Sequence, residues 1–202
     1  MLDQIRQKLQ HRPPHQARLL GDDGVREAAV LMALTAGADP KMIFIKRAEH
    51  LSSHQGQVAF PGGMWEPEDA SLIHTALRES EEEIALPRGV VEVVAAMDPK
   101  VTRFSVRVSP FVGIIPEGLV FVPELAELDA VFQVPLSYLM TPENYTRARF
   151  PTPVGTYDAP CIFYDDYCIW GFTFGVMLDM LSEVFAFQPA GGGEVLAVKG
   201  GR

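Results

Sequence analysis

Three glutamates, Glu79, Glu82 and Glu83, follow a Gly62-Gly63 pair in the first half of the chain. On a helix with about 3.6 residues per turn, positions i, i+3 and i+4 project from one face, so the three carboxylates lie close together. Like charges at that spacing destabilise a helix by about 0.2–0.5 kcal/mol per pair. A hard divalent cation would remove this repulsion, and carboxylate oxygens suit Mg²⁺ or Mn²⁺. The spacing therefore predicts a divalent-metal site on one helix face.

A bare acidic run fits a solvated helix surface as well as it fits a metal site. The residues around these glutamates decide between the two. The segment also carries apolar and small residues that predict a helix packed on a core. They are Leu72, Ile73, Thr75, Ala76, Leu77 and Ile84. The glycine pair before the helix lets the backbone approach a ligand closely. Both features favour the metal site.

The segment 63–86 resembles the Nudix box, Gly-x5-Glu-x7-Arg-Glu-(apolar)-x-Glu-Glu-x-Gly-(apolar), and its core Arg78-Glu79-x-x-Glu82-Glu83 is intact. The resemblance implies that the three glutamates ligate Mg²⁺ or Mn²⁺ and that Arg78 orients them through charge-assisted hydrogen bonds. A backbone carbonyl of the glycine turn would add a ligand. The resemblance also implies an α/β/α sandwich with a mixed central sheet.

The match departs from the box pattern at four places. Asp69 stands for the loop glutamate, and eight residues rather than seven separate it from the arginine. Ser80 occupies an apolar position, and Ala85 occupies the final glycine position. The shifted spacing leaves the loop acid open among Glu66, Glu68 and Asp69. Glu127 is a further candidate from a distant loop, although a plain surface glutamate explains it as well.

A second match narrows the resemblance to one subfamily. Ile45-Lys46-Arg47-Ala48, followed by Gly56-Gln57-Val58-Ala59-Phe60-Pro61-Gly62-Gly63, is similar to the signature of Nudix coenzyme A pyrophosphatases. That signature has a second arginine where this chain has Ser52. Segments 131–136 and 169–173 are also similar to that subfamily, so the resemblance covers most of residues 24–185. It implies that Lys46, Arg47, Gly62 and Gly63 bind the substrate. The expected products are 4′-phosphopantetheine and adenosine 3′,5′-bisphosphate.

Three other readings stay open. A Nudix hydrolase acting on a nucleoside triphosphate or a nucleotide sugar is favoured by Ser52. A nucleotide-sensing module that does not cleave its ligand is disfavoured by the intact glutamates. A scaffold protein could use the helix predicted over 171–185 as a dimer face, but a buried core helix explains that segment equally well, and a homodimer stays possible.

The composition fits one soluble domain with a small-molecule partner. The chain has 202 residues and a formal net charge of −9, whereas nucleic-acid binding needs a basic field. A few local cations could still hold a pyrophosphate, because exposed charges are screened beyond about 8–10 Å. The candidates are Lys46, Arg47, Lys100, Arg103 and Arg107.

Targeting and cysteine patterns favour a cytoplasmic protein. The apolar runs are too short to span a bilayer, and the N-terminus has no secretory pattern. Cys161 and Cys168 are too few for a disulfide scaffold and are not spaced as Cys-x-x-Cys, so we expect reduced thiols. His50 and His54 lack partners for a zinc site, so we interpret them as loop residues near the substrate cleft.

The apolar pattern predicts strands interleaved with helices and therefore an α/β domain. The predicted strands are 26–35, 42–46, 58–60, 90–97, 108–115 and 161–164. The predicted helices are 1–10, a catalytic helix that ends before Pro87, 135–140 and 171–185. We expect an N-terminal helix and linker over 1–23, the hydrolase domain over 24–187, and a flexible tail over 188–202.

Overall fold

The structure, a computed structural model, describes residues 1–12, 25–51, 54–152, 155–189 and 195–197. Outside the described residues lie positions 13–23 of the N-terminal helix and linker predicted over 1–23, Ser52, and most of the predicted tail. The described chain forms a large mixed sheet with helices on both faces and a second, smaller sheet. The predicted α/β class with a mixed central sheet is confirmed.

The elements are as follows. The strands are β1 Arg26–Thr35, β2 Lys41–Arg47, β3 Val58–Ala59, β4 Gly62–Met64, β5 Glu92–Ala96, β6 Lys100–Val101, β7 Val106–Ile115, β8 Leu128–Pro135, β9 Tyr145–Thr152, β10 Gly155–Tyr164, β11 Tyr167–Trp170 and β12 Val195–Ala197. The α-helices are α1 Leu2–Leu9, α2 Leu72–Ile84, α3 Leu136–Leu139 and α4 Gly171–Phe185. Short 3-10 turns occupy Arg88–Val90 and Pro142–Asn144.

The central strand of the large sheet is β1. It pairs in parallel with β7 along its whole length, from Arg26 opposite Val106 to Thr35 opposite Ile115. It pairs antiparallel with β2 and with the short strand β4. Because β4 begins at Gly62, this last pairing fixes the glycine turn against the middle of the sheet.

Alternate residues of β1 face opposite layers of the sandwich, as the two-residue period of a strand requires. Leu31 and its neighbours two residues away pack with α2 on one face. Met32 and Leu34 pack with α1 and α4 on the other face. Burying one such side chain contributes about 1.5–3 kcal/mol, so the apolar layer on the first face holds α2 against the sheet.

The N-terminal helix α1 shares the core of the domain rather than standing apart from it. Ile5 and Leu9 are fully buried in the same cluster as Met177 and Leu181 of α4. Arg6 also donates two hydrogen bonds of 2.8 Å to the carboxylate of Glu92 in β5. The predicted helix 1–10 is therefore present, and its apolar face docks on the domain.

The second sheet has the strand order β11-β10-β9-β12 and was not predicted as a sheet. In its last strand, Val195–Ala197 pair in parallel with Arg147–Arg149 of β9, and the flexible tail over 188–202 stays a prediction. Cys161 and Cys168 lie on neighbouring strands of this sheet as free thiols. Strand β11 continues directly into α4 at Gly171.

Among the helices that the structure describes, none combines the length and the apolar character that a bilayer crossing requires.

Candidate functional site

The helix that carries the glutamates, α2, has a defined start and end. Ser71 is its N-cap, and the Ser71 hydroxyl accepts a hydrogen bond of 3.3 Å from the backbone N–H of His74. The helix ends at Ala85, which adopts the left-handed conformation with φ of 55°. A left-handed C-terminal cap is the position at which glycine is favoured, and this explains why the box pattern has glycine there.

Glu83 lies beneath the glycine turn and is 3% exposed. Its carboxylate accepts a hydrogen bond of 2.9 Å from the backbone N–H of Gly62. Gly62 has φ of +151°, and a Cβ at this position would overlap the backbone of Ala29 and Val30. Burial, with a smaller contribution from the nearby Glu79, raises the pKa of Glu83 to about 8. The turn thus places a carboxyl group in the interior, next to a second one.

Glu79 lies directly against the second glycine of the turn. A Cβ on Gly63 would overlap the Glu79 carboxylate, so only glycine permits this approach. Burial raises the pKa of Glu79, although Arg78 acts in the opposite direction. Glu82, one turn further along α2, is much more open, with 57% of its side chain exposed. The predicted shared face exists, and its three carboxylates lie at different depths.

Arg78 connects the acidic groups of the site. Its Nε and Nη2 donate to the two oxygens of Asp69 at 2.9 and 3.0 Å. Its Nη1 lies 2.9 Å from Glu79 Oε1 and 3.1 Å from Glu82 Oε2, and Nη2 also donates to the Met64 carbonyl. The predicted contacts between Arg78 and the glutamates are present, and they fix the relative positions of two of the three.

Asp69 is the loop acid that pairs with the arginine, despite the extra residue between them. It is 5% exposed, and it also accepts hydrogen bonds from the Thr75 hydroxyl at 2.8 Å and from a backbone N–H at 3.2 Å. Arg78 holds the pKa of Asp69 well below its usual range. The side chains of Glu66 and Glu68 are exposed and form no hydrogen bond or ion pair within the described part of the chain.

The two basic residues at the end of β2 differ in what they contact. Lys46 forms ion pairs with Glu49 at 2.9 Å and Asp129 at 3.4 Å. The backbone N–H of Arg47 donates to the Gln57 carbonyl at 3.0 Å, and its positive charge acts on Glu83. The Nε of Arg47 is buried and has no hydrogen-bond partner among the described residues. Arg47 is therefore the predicted substrate-binding cation that the fold brings to the glutamates.

The loop between β7 and β8 brings Glu127 near the same site. Backbone N–H groups of Val122 and Glu124 donate to the carbonyls of Ile84 and Glu83 at 3.1 and 2.8 Å, which attaches the loop to the end of α2. The charge of Glu127 acts on both Glu79 and Glu83, raising their pKa values. Glu127 is exposed and is the distant-loop acid that the sequence singled out.

The remaining basic and histidine candidates divide between local pairs and a nearby cavity. Lys100 pairs with Asp179 and Arg107 pairs with Glu27, so neither points to the glutamates. His50 lies 3.1 Å from the Ala126 carbonyl. His54 and Arg103 line a cavity of about 340 Å³. Sequence reasoning did not connect the aromatic walls Phe104, Trp170 and Phe172 with this cavity, because they come from distant parts of the chain.

The donor set fits a hard divalent cation. Glu79 and Glu83 face the same turn, burial raises the pKa of both, and the charge of Glu79 further raises the pKa of Glu83. A cation would stabilise both carboxyl groups in their charged form. The backbone N–H of Gly62 binds an oxygen of Glu83, and Arg78 binds an oxygen of Glu79. Within the described ranges, no group of three acidic, histidine or cysteine side chains surrounds a common point. Glu79, Glu82 and Glu83 therefore stay the predicted ligands of such an ion.

The comparison with protein families agrees with this geometry. The NUDIX domain model matches residues 25–149, more than half of the chain. The chain belongs to the Nudix family. The matched range contains the glycine turn, α2 and Glu127, while β10, β11 and α4 lie beyond it.

Two relatives, both named uncharacterized Nudix hydrolase NudL, extend the similarity past that range. The protein of Enterobacter sp. (strain 638) is 37% identical over 159 residues, which is 79% of this chain and 83% of the relative. That of Yersinia pestis (strain Pestoides F) is 35% identical over 159 residues, 79% of this chain and 80% of the relative. The prediction of a Nudix pyrophosphohydrolase is confirmed at this level, and the coenzyme A subfamily stays a prediction.

A solved structure with a similar fold is a MutT/nudix family protein from Enterococcus faecalis. It has a TM-score of 0.49 and 16% identity, over 77% of this chain and 54% of that protein. This Nudix chain spans about half the length of that protein, and neither substrate nor mechanism follows from the likeness.

Proposed function

We propose that this Nudix protein hydrolyses the pyrophosphate bond of coenzyme A or a coenzyme A derivative, giving 4′-phosphopantetheine and adenosine 3′,5′-bisphosphate. The observation that carries the proposal is the meeting of two sequence signatures at one place. Arg47 of the upstream signature acts on Glu83 of the box, and Gly62, where the signatures join, donates to the same carboxylate. A polyanionic substrate at the glutamates would thus meet a half-buried arginine.

The chain's own residues prepare the reaction by positioning. Arg78 holds Glu79 and Glu82, and Asp69 neutralises Arg78 and fixes its orientation. Arg47 has a buried donor with no partner among the described residues, and a phosphate oxygen would satisfy that donor through a charge-assisted hydrogen bond. Such fixed donors stabilise the charge that develops on phosphate oxygens during transfer.

The chemical step is the attack of water on one phosphorus of the bridge. The water oxygen forms a bond to phosphorus, the bond from that phosphorus to the bridging oxygen breaks, and a carboxylate takes the proton. The open carboxylates of Glu82 and Glu127 are the candidates for this base. A bound Mg²⁺ or Mn²⁺ would neutralise phosphate charge and lower the pKa of the attacking water.

The test is product analysis in water enriched with heavy oxygen. Purified protein with Mg²⁺ or Mn²⁺ should convert coenzyme A into the two named products, with heavy oxygen in one of them, as mass spectrometry would show. Cleavage of other nucleoside diphosphate derivatives or triphosphates, but not of coenzyme A, would refute coenzyme A as the substrate and would still support pyrophosphate hydrolysis as the reaction. Tight nucleotide binding without cleavage of any compound would identify a sensor.

A substitution on α2 tests the residues. Glu82→Gln should lower turnover on the order of 100-fold or more, the size of effect typical of a lost catalytic carboxylate. It should also weaken Mn²⁺ binding, as measured by electron paramagnetic resonance. Because Glu82 is exposed, the melting temperature should not change. Glu81→Gln is the matched control, since Glu81 lies on the same helix and pairs with Arg88 at 2.6 Å. Equal activity of the two variants would remove Glu82 from the mechanism.

A further inference from the structure

The cavity of about 340 Å³ lies between the end of the loop before β3, the turn between β6 and β7, and the first turn of α4. Its walls combine aromatic rings with cationic or polar groups. They include His54, Gln57, Val101, Arg103, Phe104 and Trp170. A volume near the lower end of the range for ligand sites, about 300–1,000 Å³, accommodates one ring-bearing end of a substrate rather than a whole dinucleotide.

The turn that forms one wall has a fixed shape. The Thr102 hydroxyl accepts hydrogen bonds of 3.3 Å from the backbone N–H groups of both Phe104 and Val106. The Arg103 guanidinium lies over the Phe104 ring, 4.7 Å from its centre, and the His54 ring meets the edge of Phe104 at 5.5 Å. Two nitrogen-bearing side chains therefore converge around an aromatic ring that is 50% exposed.

Arg103 differs from most of the described arginines in having no carboxylate partner among the described residues. Arg6, Arg12, Arg78, Arg88, Arg107 and Arg149 all form such pairs. The protein has a net charge of −9. An arginine that lies beside a cavity and has no carboxylate partner nevertheless makes that cavity locally suited to an anion. The adjacent rings suit a flat base, which stacks on aromatic or guanidinium faces.

The cavity is within reach of the glutamates. Val58 lines it, and the four residues from there to Gly62 span at most about 14 Å. Arg47 lies between the two places, because its backbone N–H donates to Gln57 at the cavity wall and its charge acts on Glu83. A pyrophosphate at Arg47 and the glutamates could therefore extend its nucleoside into the cavity.

We infer that this cavity binds the nucleoside end of the substrate, with the base against the aromatic wall and a phosphate outside the cleaved bond held by Arg103 and His54. The inference rests on the proposed pyrophosphatase function and makes that function selective for nucleosides that carry an additional phosphate. The extra phosphate would be recognised through charge-assisted hydrogen bonds from Arg103.

The test compares coenzyme A with dephospho-coenzyme A, which lacks the additional phosphate. Arg103→Gln should raise KM for coenzyme A about tenfold to a hundredfold, the effect of one lost hydrogen bond to a charged group, with little change in kcat and no change in KM for dephospho-coenzyme A. Val101→Trp should raise KM for both substrates, because Val101 lines the cavity and is 60% exposed, so a larger ring fills the cavity without disturbing the core. Arg149→Gln, in the second sheet, is the control.

Calorimetric titration with adenosine 3′,5′-bisphosphate separates this inference from the proposed function. The inference is supported if the wild type binds the bisphosphate and both cavity variants bind it at least tenfold more weakly, even if no substrate is cleaved. The inference is overturned if the wild type cleaves coenzyme A and both variants keep the same KM and the same affinity for the bisphosphate. The proposed function would not be affected by that result. Absence of bisphosphate binding to the wild type overturns the inference as well.

Discussion

Replacing Asp69 by asparagine removes the buried charge that holds Arg78 in place. Asp69 accepts two hydrogen bonds from Arg78, at 2.9 and 3.0 Å, and its side chain is 1% exposed. Removing one partner of a buried ion pair costs about 3–5 kcal/mol. Arg78 is 14% exposed and keeps Glu79 and Glu82 as partners, so we expect a smaller loss in the free energy of unfolding, about 2–3 kcal/mol.

The loss should depend on pH in a direction that follows from the pKa of Asp69. Arg78 holds this pKa below its usual value, which is about 3.9 in an unfolded chain. A lowered folded-state pKa gives stability that is complete above the unfolded value and disappears as pH falls through the folded value. The difference between the wild type and Asp69→Asn should therefore be constant from about pH 6 to 8 and shrink below about pH 4.

The measurement is urea unfolding followed by tryptophan fluorescence at neutral and acidic pH. Trp65 reports on the site, because its indole N–H donates to the Asp69 carbonyl at 3.2 Å. The matched control is Asp158→Asn, which breaks a similar two-pronged pair with Arg149 on an exposed strand, where ion pairs contribute little. Turnover should fall with Asp69→Asn, because Arg78 would no longer be fixed. Equal stability losses in the two variants, or a loss that persists at acidic pH, would refute the reasoning.

Two further predictions concern the backbone around α2. Gly63→Ala should lower turnover at least about tenfold, since the added Cβ displaces the Glu79 carboxylate and catalytic groups tolerate little misplacement; steady-state kinetics would show it, and unchanged kcat would contradict it. Ala85→Gly should raise the free energy of unfolding by about 1 kcal/mol without changing turnover, because Ala85 has φ of 55° and the left-handed conformation costs a residue with a Cβ about 1–2 kcal/mol. Thermal melting would measure the gain, and a lower melting temperature would argue against strain at the cap.

Local patterns predicted some of the long elements, but they did not predict the strand β8. The strand over 26–35 and the helix over 171–185 have the bounds that their apolar runs indicate, because each carries enough residues for its period to be read. Residues 145–152 form a strand that was missed. That strand pairs antiparallel with β10, which follows it directly in the chain, and in parallel with β12. Arg147, Arg149 and Pro151 leave it without the continuous apolar run from which the other strands were predicted. Three residues of β12 are too few to show any period.

The site divides in the same way. The spacing of Glu79, Glu82 and Glu83 gave their shared face, since helix geometry alone determines it. Their burial could not be predicted, because it depends on the glycine turn that β1 holds over α2. The choice of Asp69 among three loop acids also needed the fold, which absorbs the extra residue between the loop and Arg78.

The continuation of β11 into α4 has a consequence for how related chains diverge. Trp170 and the first turn of α4 line the cavity, yet both lie after residue 149, where the match to the family ends. The residues that would catalyse hydrolysis and part of the surface that would select the ligand thus lie in separate segments of the chain. Related chains could retain the first segment and vary the second, which would change their ligand preference without changing the reaction.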